Sequence, residues 1–291
     1  MTVLYRDLDQ AALDAQYNLR RAVPAHPAYF ARWAAESAAV RARMPCRLDI
    51  AYGDAPQATL DLFPAAAVAP APLLVFIHGG YWQAMDKSDF SFVAPAYLAA
   101  GIAVAVVNYT LAPAADMDAI VAQIRAAVVF LARQGATLGI DARRIFLAGH
   151  SAGGHLVAMA MLTDWSRLGL DRDPVRGGCA ISGIFDLEPI RLCYLNRAIG
   201  LDAAAASRNS PLHLIAAAAA PAGPLILAVG GRETNEFRRQ QAAFAGAYGA
   251  RFRAPAVVAQ PDDDHFSIMD RFAEADSPLC RALVGAITES A

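Results

Sequence analysis

Short runs of consecutive apolar residues alternate with longer stretches in which apolar residues recur every three or four positions. The first pattern fits strands buried on both faces, and the second fits amphipathic helices. Leu73–His78, Ile102–Val107, Arg144–Ala148, Cys179–Ser182 and Leu225–Val229 are strand candidates, with Ala256–Ala259 as a weaker last one. Met117–Gln134 sets Ile120, Val121, Ile124, Val128 and Leu131 on one helical face. Glu236–Tyr248 and Pro278–Thr288 read similarly. Upstream, Cys46–Tyr52 and Thr59–Phe63 alternate apolar and polar residues around a turn containing Gly53 and Asp54. That alternation predicts an antiparallel hairpin at one sheet edge. The whole pattern predicts an α/β fold: a mostly parallel, twisted sheet with helices on both faces.

Two segments depart from the alternation. Residues 1–45 predict one or two helices ahead of the first strand. Residues 187–222 are longer than an ordinary crossover and run into an Ala-rich, Pro-broken stretch, Ala216–Pro224. An insertion of this kind is either a lid or helical padding. The expectation is one domain, 1–291, with these two segments as a small helical cap.

Composition narrows the function classes. The chain has 291 residues and is 56% hydrophobic, too apolar for a disordered chain. Its 25 Lys and Arg against 27 Asp and Glu leave no basic footprint for nucleic acid. The longest apolar stretch, Phe92–Val107, is interrupted by Pro95 and Gly101 and reads as a core helix and a strand rather than a membrane span. The start, MTVLYRDLDQ, lacks the apolar core of a signal peptide. Cys46, Cys179, Cys193 and Cys280 are spread too widely for a disulfide scaffold. A cytoplasmic protein acting on a small molecule is expected, without nucleic acid or membrane partners. An exposed edge strand or the C-terminal helix is where two copies would pair as a homodimer.

The sharpest local signal is Gly149-His150-Ser151-Ala152-Gly153, which follows one strand candidate and precedes a helical run, His155–Leu162. A serine in a tight strand-to-helix turn has its hydroxyl exposed as a nucleophile. The bland alternative is a glycine-rich turn without chemistry. His78-Gly79-Gly80-Tyr81-Trp82 follows another strand. Its glycines, Gly79 and Gly80, place backbone N–H groups where they can form an oxyanion hole with the N–H of Ala152. Tyr81 and Trp82 either flank the substrate or pack within their loop. His150 stands beside the nucleophile, either shaping the backbone or touching substrate.

A nucleophilic serine needs a base. His78 and His150 belong to the two motifs, and His155 lies on the helix that should carry it away from Ser151. His26 precedes the first strand, and His213 lies in the insertion. His265 remains, in Asp262-Asp263-Asp264-His265, after the last strand candidate. Three consecutive carboxylates beside one histidine are poor spacing for zinc, so no metal site is read there. The acid that holds the imidazole is assigned to Glu233 in the loop after Leu225–Val229. Asp186 is the competing acid, and Glu236 falls in the next helix.

The motifs HGGYW, NYTLAP (Asn108–Pro113), GHSAGGHL (Gly149–Leu156), SGIFDLEPI (Ser182–Ile190) and DHFSI (Asp264–Ile268) together resemble the α/β-hydrolase superfamily. More narrowly, Lys87 and Asp89 after HGGYWQ, and GRETNEFRRQ (Gly231–Gln240), resemble the kynurenine formamidase (arylformamidase) branch, next to the hormone-sensitive-lipase-type esterases. Tyr194-Leu195-Asn196 and Ser210-Pro211 resemble that branch too. The resemblance runs from about Gln16 to the last helix. It implies an α/β-hydrolase fold and a serine hydrolase acting on an aryl or short-acyl ester or formamide, with no metal and no cofactor. It supports Ser151, Glu233 and His265 in Ser–acid–His order. Formamidases typically carry aspartate where this chain has Glu233. The alternatives are a non-catalytic binding protein on the same fold, which would have lost a triad residue, and an interfacial lipase, which would need an amphipathic lid.

Overall fold

The structure is a computed structural model that describes residues 2–66 and 70–289. Residue 1, residues 67–69 and residues 290–291, the ends of the expected domain among them, lie outside the described part. Eight strands form one sheet: β1 (Arg47–Ala51), β2 (Thr59–Phe63), β3 (Ala71–Ile77), β4 (Ala103–Val107), β5 (Ile140–His150), β6 (Val175–Ile181), β7 (Leu225–Ala228) and β8 (Ala256–Val257). Their order is β1-β2-β4-β3-β5-β6-β7-β8. The first two pairings are antiparallel, and every pairing from β4 to β8 is parallel.

β3 and β4 are buried along their whole length, as consecutive apolar residues require. The hairpin departs from simple alternation. β2 buries Leu60 to Phe63, Asp61 included, because Lys87 Nζ sits 2.7 Å from the Asp61 carboxylate. β5 begins four residues before its apolar run, where Asp141 accepts hydrogen bonds from Arg143 N and Arg144 Nε. β6 begins earlier than its apolar run suggests, since Gly177 and Gly178 interrupt the pattern but not the ladder.

Helix α4 (Ala94–Ala99) precedes β4, and α5 (Met117–Leu138) crosses to β5. α5 is long and apolar enough to cross a membrane by length and composition, and was not the stretch singled out above. Its buried face, Ile120, Ile124, Val128 and Leu131, packs on the sheet instead. After β5 come α6 (Ala152–Met161) and a 3-10 turn, Trp165–Leu168. The 187–222 insertion forms four short helices: α7 (Glu188–Leu192), α8 (Asn196–Ile199), α9 (Ala203–Arg208) and α10 (Pro211–Leu214). Then follow α11 (Asn235–Arg251), α12 (Ile268–Ala273) and α13 (Pro278–Thr288). The N-terminal segment holds three helices, not one or two: α1 (Gln10–Tyr17), α2 (Leu19–Ala22) and α3 (His26–Arg43). Asp9 caps α1 and Asn18 caps α2, so the chain restarts its helix at once.

Parallel pairing sends consecutive loops out at one edge. Ile77 pairs with Gly149, His150 with Ile181, and Ile181 with Ala228. The loops after β3, β5, β6 and β7 therefore emerge side by side, the usual place for a site in such a sheet.

Candidate active site

Ser151 sits between β5 and α6 at φ 56°, in the left-handed region that a branched or bulky residue avoids. Its N–H donates to Ile181 O at 2.8 Å, which anchors the turn to β6. The turn is tight because α6 packs directly on β3. A Cβ at Gly153 would stand 2.0 Å from Ile77 O, so only glycine fits. The loop after β3 meets this turn from the other side. A Cβ at Gly79 would lie 3.2 Å from Ser151 Cβ. Gly80 has φ +101°, and a Cβ there would meet Ala84 O at 2.1 Å. Among the described residues, the N–H groups of Gly79, Gly80 and Ala152 donate to no backbone acceptor.

His265 and Glu233 come together across two loops. Glu233 Oε2 accepts from His265 Nδ1 at 2.6 Å, with both side chains buried. Glu233 Oε1 accepts from Ser182 Oγ at 2.5 Å and from Gly230 N at 2.7 Å. Three donors therefore fix the carboxylate. Pairing at Nδ1 leaves Nε2 as the ring nitrogen open to a neighbour. Phe237 and Phe266 stand edge-on to the His265 ring, with centroids at 4.8 and 5.4 Å.

The other acids and histidines go elsewhere. Asp186 accepts from Tyr5 Oη and from Glu188 N. Glu236 takes Arg239 and Tyr17 Oη. His78 sits between Gly79 O, 2.8 Å from Nδ1, and Asn108 Oδ1, 3.0 Å from Nε2. His155 Nε2 donates to Asn209 O at 2.7 Å, and burial lowers its pKa to about 4. His150 Nε2 donates to the carbonyl of His265 at 2.7 Å. Burial, reinforced by the neighbouring His265, pushes His150 well below the ordinary histidine range, so it is a neutral donor. The three aspartates before His265 diverge. Asp262 faces Arg232, Asp263 accepts from Ser267 Oγ, and Asp264 caps the turn through Phe266 N and Ser267 N. Among the described residues, no group of three or more His, Cys, Asp or Glu is arranged to hold a metal.

A cavity of about 470 Å³ opens on Ser151, His150 and His265. Gly80, Tyr81, Gln83 and Met85 of the loop after β3 form part of its wall. Tyr81 thus reaches the cavity, but Trp82 does not. Trp82 is fully buried and packs edge-on against His155, at 5.0 Å between centroids. Trp82, a candidate substrate neighbour by sequence, thus takes the packing alternative, and Tyr81 lines the cavity.

Sequence reasoning overlooked the other walls. Asn18, Leu19 and Arg20 come from the N-terminal segment, with Phe30 and Trp33 from α3. Tyr194 and Leu195 come from the insertion. Tyr17 O of the N-terminal segment joins the other two walls: it accepts from Tyr81 Oη of the loop after β3 at 2.8 Å and from Tyr194 Oη of the insertion at 3.4 Å. Ser182 was also missed as a partner of Glu233, although its place directly after β6 is a signal that could have found it.

Known proteins match this arrangement. The BD-FAE family model matches residues 60–177. Kynurenine formamidase of Danio rerio is 32% identical over 84% of this chain and 82% of its own length. That of Salmo salar is 32% identical over 81% and 80%. A candidate thioesterase of Silicibacter sp. tm1040, known as a crystal structure, superposes with TM-score 0.81 at 32% identity, covering 95% of this chain and 98% of its own. A Pyrobaculum calidifontis esterase, at TM-score 0.71 and 18% identity over 95% and 97%, shares the fold. With the α/β-hydrolase sheet and formamidase relatives that span most of both chains, the protein is a hydrolase and belongs to the kynurenine formamidase family.

Proposed function

We propose that the protein cleaves a small aryl or short-acyl ester or formamide through an acyl-enzyme. Ser151 is the nucleophile, His265 the general base and Glu233 the acid that orients it. The observation that carries this reading is the 2.6 Å pairing of Glu233 with His265 Nδ1 beside the cavity that holds Ser151. His265 takes the Ser151 proton as the hydroxyl attacks the carbonyl carbon. The carbonyl oxygen becomes an oxyanion on the N–H groups of Gly79, Gly80 and Ala152, each uncommitted to backbone. His265 then gives its proton to the leaving amine or alcohol, and water releases the acyl group by the same route.

Tyr81 and His150 contact the substrate from the wall. The N-terminal helices and the 187–222 insertion act as a cap on one domain, a reading supported by the cavity residues each supplies. The names of the formamidase relatives favour N-formylkynurenine as substrate. Glu233 in place of aspartate keeps the acid while lengthening its arm. A binding protein that had lost its chemistry is disfavoured, because all three positions are filled and the acid and base are paired. The same proposal sets the protein in the cytoplasm, with a second copy pairing at a sheet edge where Leu48 or Val257 is exposed.

The test compares wild type with Ser151→Ala on N-formylkynurenine and p-nitrophenyl acetate by kcat/KM. Wild type should turn over at least one, and Ser151→Ala should lose about 10⁴-fold or more in kcat. Preference for the formamide makes the protein a formamidase, and turnover of the ester alone makes it an esterase. Undiminished turnover by Ser151→Ala removes the mechanism.

A further inference from the structure

Among the described residues that line the cavity, Arg20 is the one with a permanent charge. No Asp or Glu lines the same space, and Glu233 stands behind His265 rather than in the wall. His150 is held neutral by burial. Arg20 makes no ion pair and donates no hydrogen bond within the described residues. Its guanidinium lies 5.9 Å from the Phe30 ring centroid. An aromatic neighbour of this kind orients a guanidinium without using up its donors. Phe30 in turn meets Phe266 edge-on at 5.3 Å, next to His265. The charge therefore stands beyond a pair of aromatic rings from the general base, on the cap side of the cavity.

Arg20 is solvent-exposed, and an arginine that lines a space walled by aromatic rings and bare of carboxylates, with no ion pair among the described residues, favours anions there. Its fork geometry suits a carboxylate. We propose that Arg20 is the specificity-determining residue that selects substrates bearing a carboxylate on the part remote from the scissile carbonyl. The inference rests on the hydrolase reading above and deepens it: the triad defines the bond cleaved, and Arg20 defines the charge of the molecule that carries it. Arg20 takes no part in bond making. Asn18, on the same wall, offers a neutral amide beside it.

The test uses the full chain and a matched pair of esters, 4-acetoxybenzoate and phenyl acetate, which differ in one carboxylate. The quantity read is the ratio of their kcat/KM values in each variant. Arg20→Ala should lower that ratio about ten- to hundredfold, chiefly through KM for the charged ester. Arg20→Lys should keep an intermediate ratio, and Arg20→Glu should fall below Arg20→Ala. Raising the salt should shrink the wild-type ratio and leave that of Arg20→Ala nearly constant. A ratio that stays within twofold across all variants overturns the proposal. Binding of phenylacetate against phenylacetamide, by calorimetry on wild type and Arg20→Ala, is an independent arm. If wild type hydrolyses neither ester, the ester part of the reading above has failed and the binding arm decides. A carboxylate preference that disappears with Arg20 then still upholds the anion anchor, and equal binding of the two probes rejects it.

Discussion

On the sheet side of the cavity, functional groups are held by several contacts each. Glu233 accepts three hydrogen bonds, Ser151 is pinned by its own N–H to β6, and His150 is tied to the backbone of His265. On the cap side, the walls are short helices and single side chains. Arg20 has no ion pair among the described residues, Tyr194 is 37% exposed, and Tyr17 O meets the loop after β3 through the Tyr81 hydroxyl and the insertion through that of Tyr194. The difference separates two tasks. Proton transfer and charge stabilisation need groups fixed before substrate arrives. Recognition of the remainder of the substrate tolerates looser, replaceable contacts.

The comparison can be broken from the floor first. Glu233→Gln removes the fixed charge and presents an amide to His265 Nδ1, so the imidazole turns or takes the wrong tautomer. A kcat loss of about 10³–10⁴-fold is expected in steady-state kinetics. Gly80→Ala sets a Cβ against Ala84 O in a conformation L-residues rarely adopt. The loop must shift, and kcat should fall about 10²–10³-fold with the fold retained by circular dichroism. Tyr81→Phe tests the junction itself. It removes one hydrogen bond to Tyr17 O and should lower kcat about three- to tenfold. A larger loss would mean that the cap positions the oxyanion loop as firmly as the sheet does.

The smallest expected effect on activity comes from His155, behind the floor. Its pKa near 4 in the folded chain lies below the ordinary value of 6.5, so the unfolded chain binds the extra proton between those values. Its contribution to stability is full above about pH 6.5 and is lost as the pH falls towards 4. The urea midpoint at pH 4.5 against pH 7 reads this. In His155→Gln the decline should be smaller by about 2–3 kcal/mol.

Legibility followed the same division. The strands were visible as apolar runs because both faces are buried. The elbow and the glycine pair were visible because a tight turn at a strand end admits few residue types. Glu233 stood out as the acid candidate by its place after β7, five residues beyond the end of a strand that is itself short. Residues 1–45 and 187–222 were expected as a cap, but which of their side chains line the cavity was not legible. Leu19, Phe30 and Trp33 look like ordinary helix positions, and nothing local says that they face a cavity rather than a core. The choice between packing and cavity for Tyr81 and Trp82 stayed open because the sequence gives no direction for consecutive aromatic residues in a loop with left-handed backbone at both. The early start of β5 was hidden by Asp141, Arg143 and Arg144, whose charges satisfy one another.

The grip on Tyr17 has a consequence for how such a protein can diverge. Tyr81 and Tyr194 hold a main-chain oxygen, an atom every amino acid supplies. The side chain at position 17 answers to a different set of neighbours, Glu236 and Gln240 on α11. Mutation at that position can therefore remodel the helix contact without touching the clasp, whereas either tyrosine loses its half of the clasp with its hydroxyl. Two descendants can keep the same joint while sharing no residue at its centre, and the recess above the serine can be re-lined around an anchor that leaves no trace in the letters.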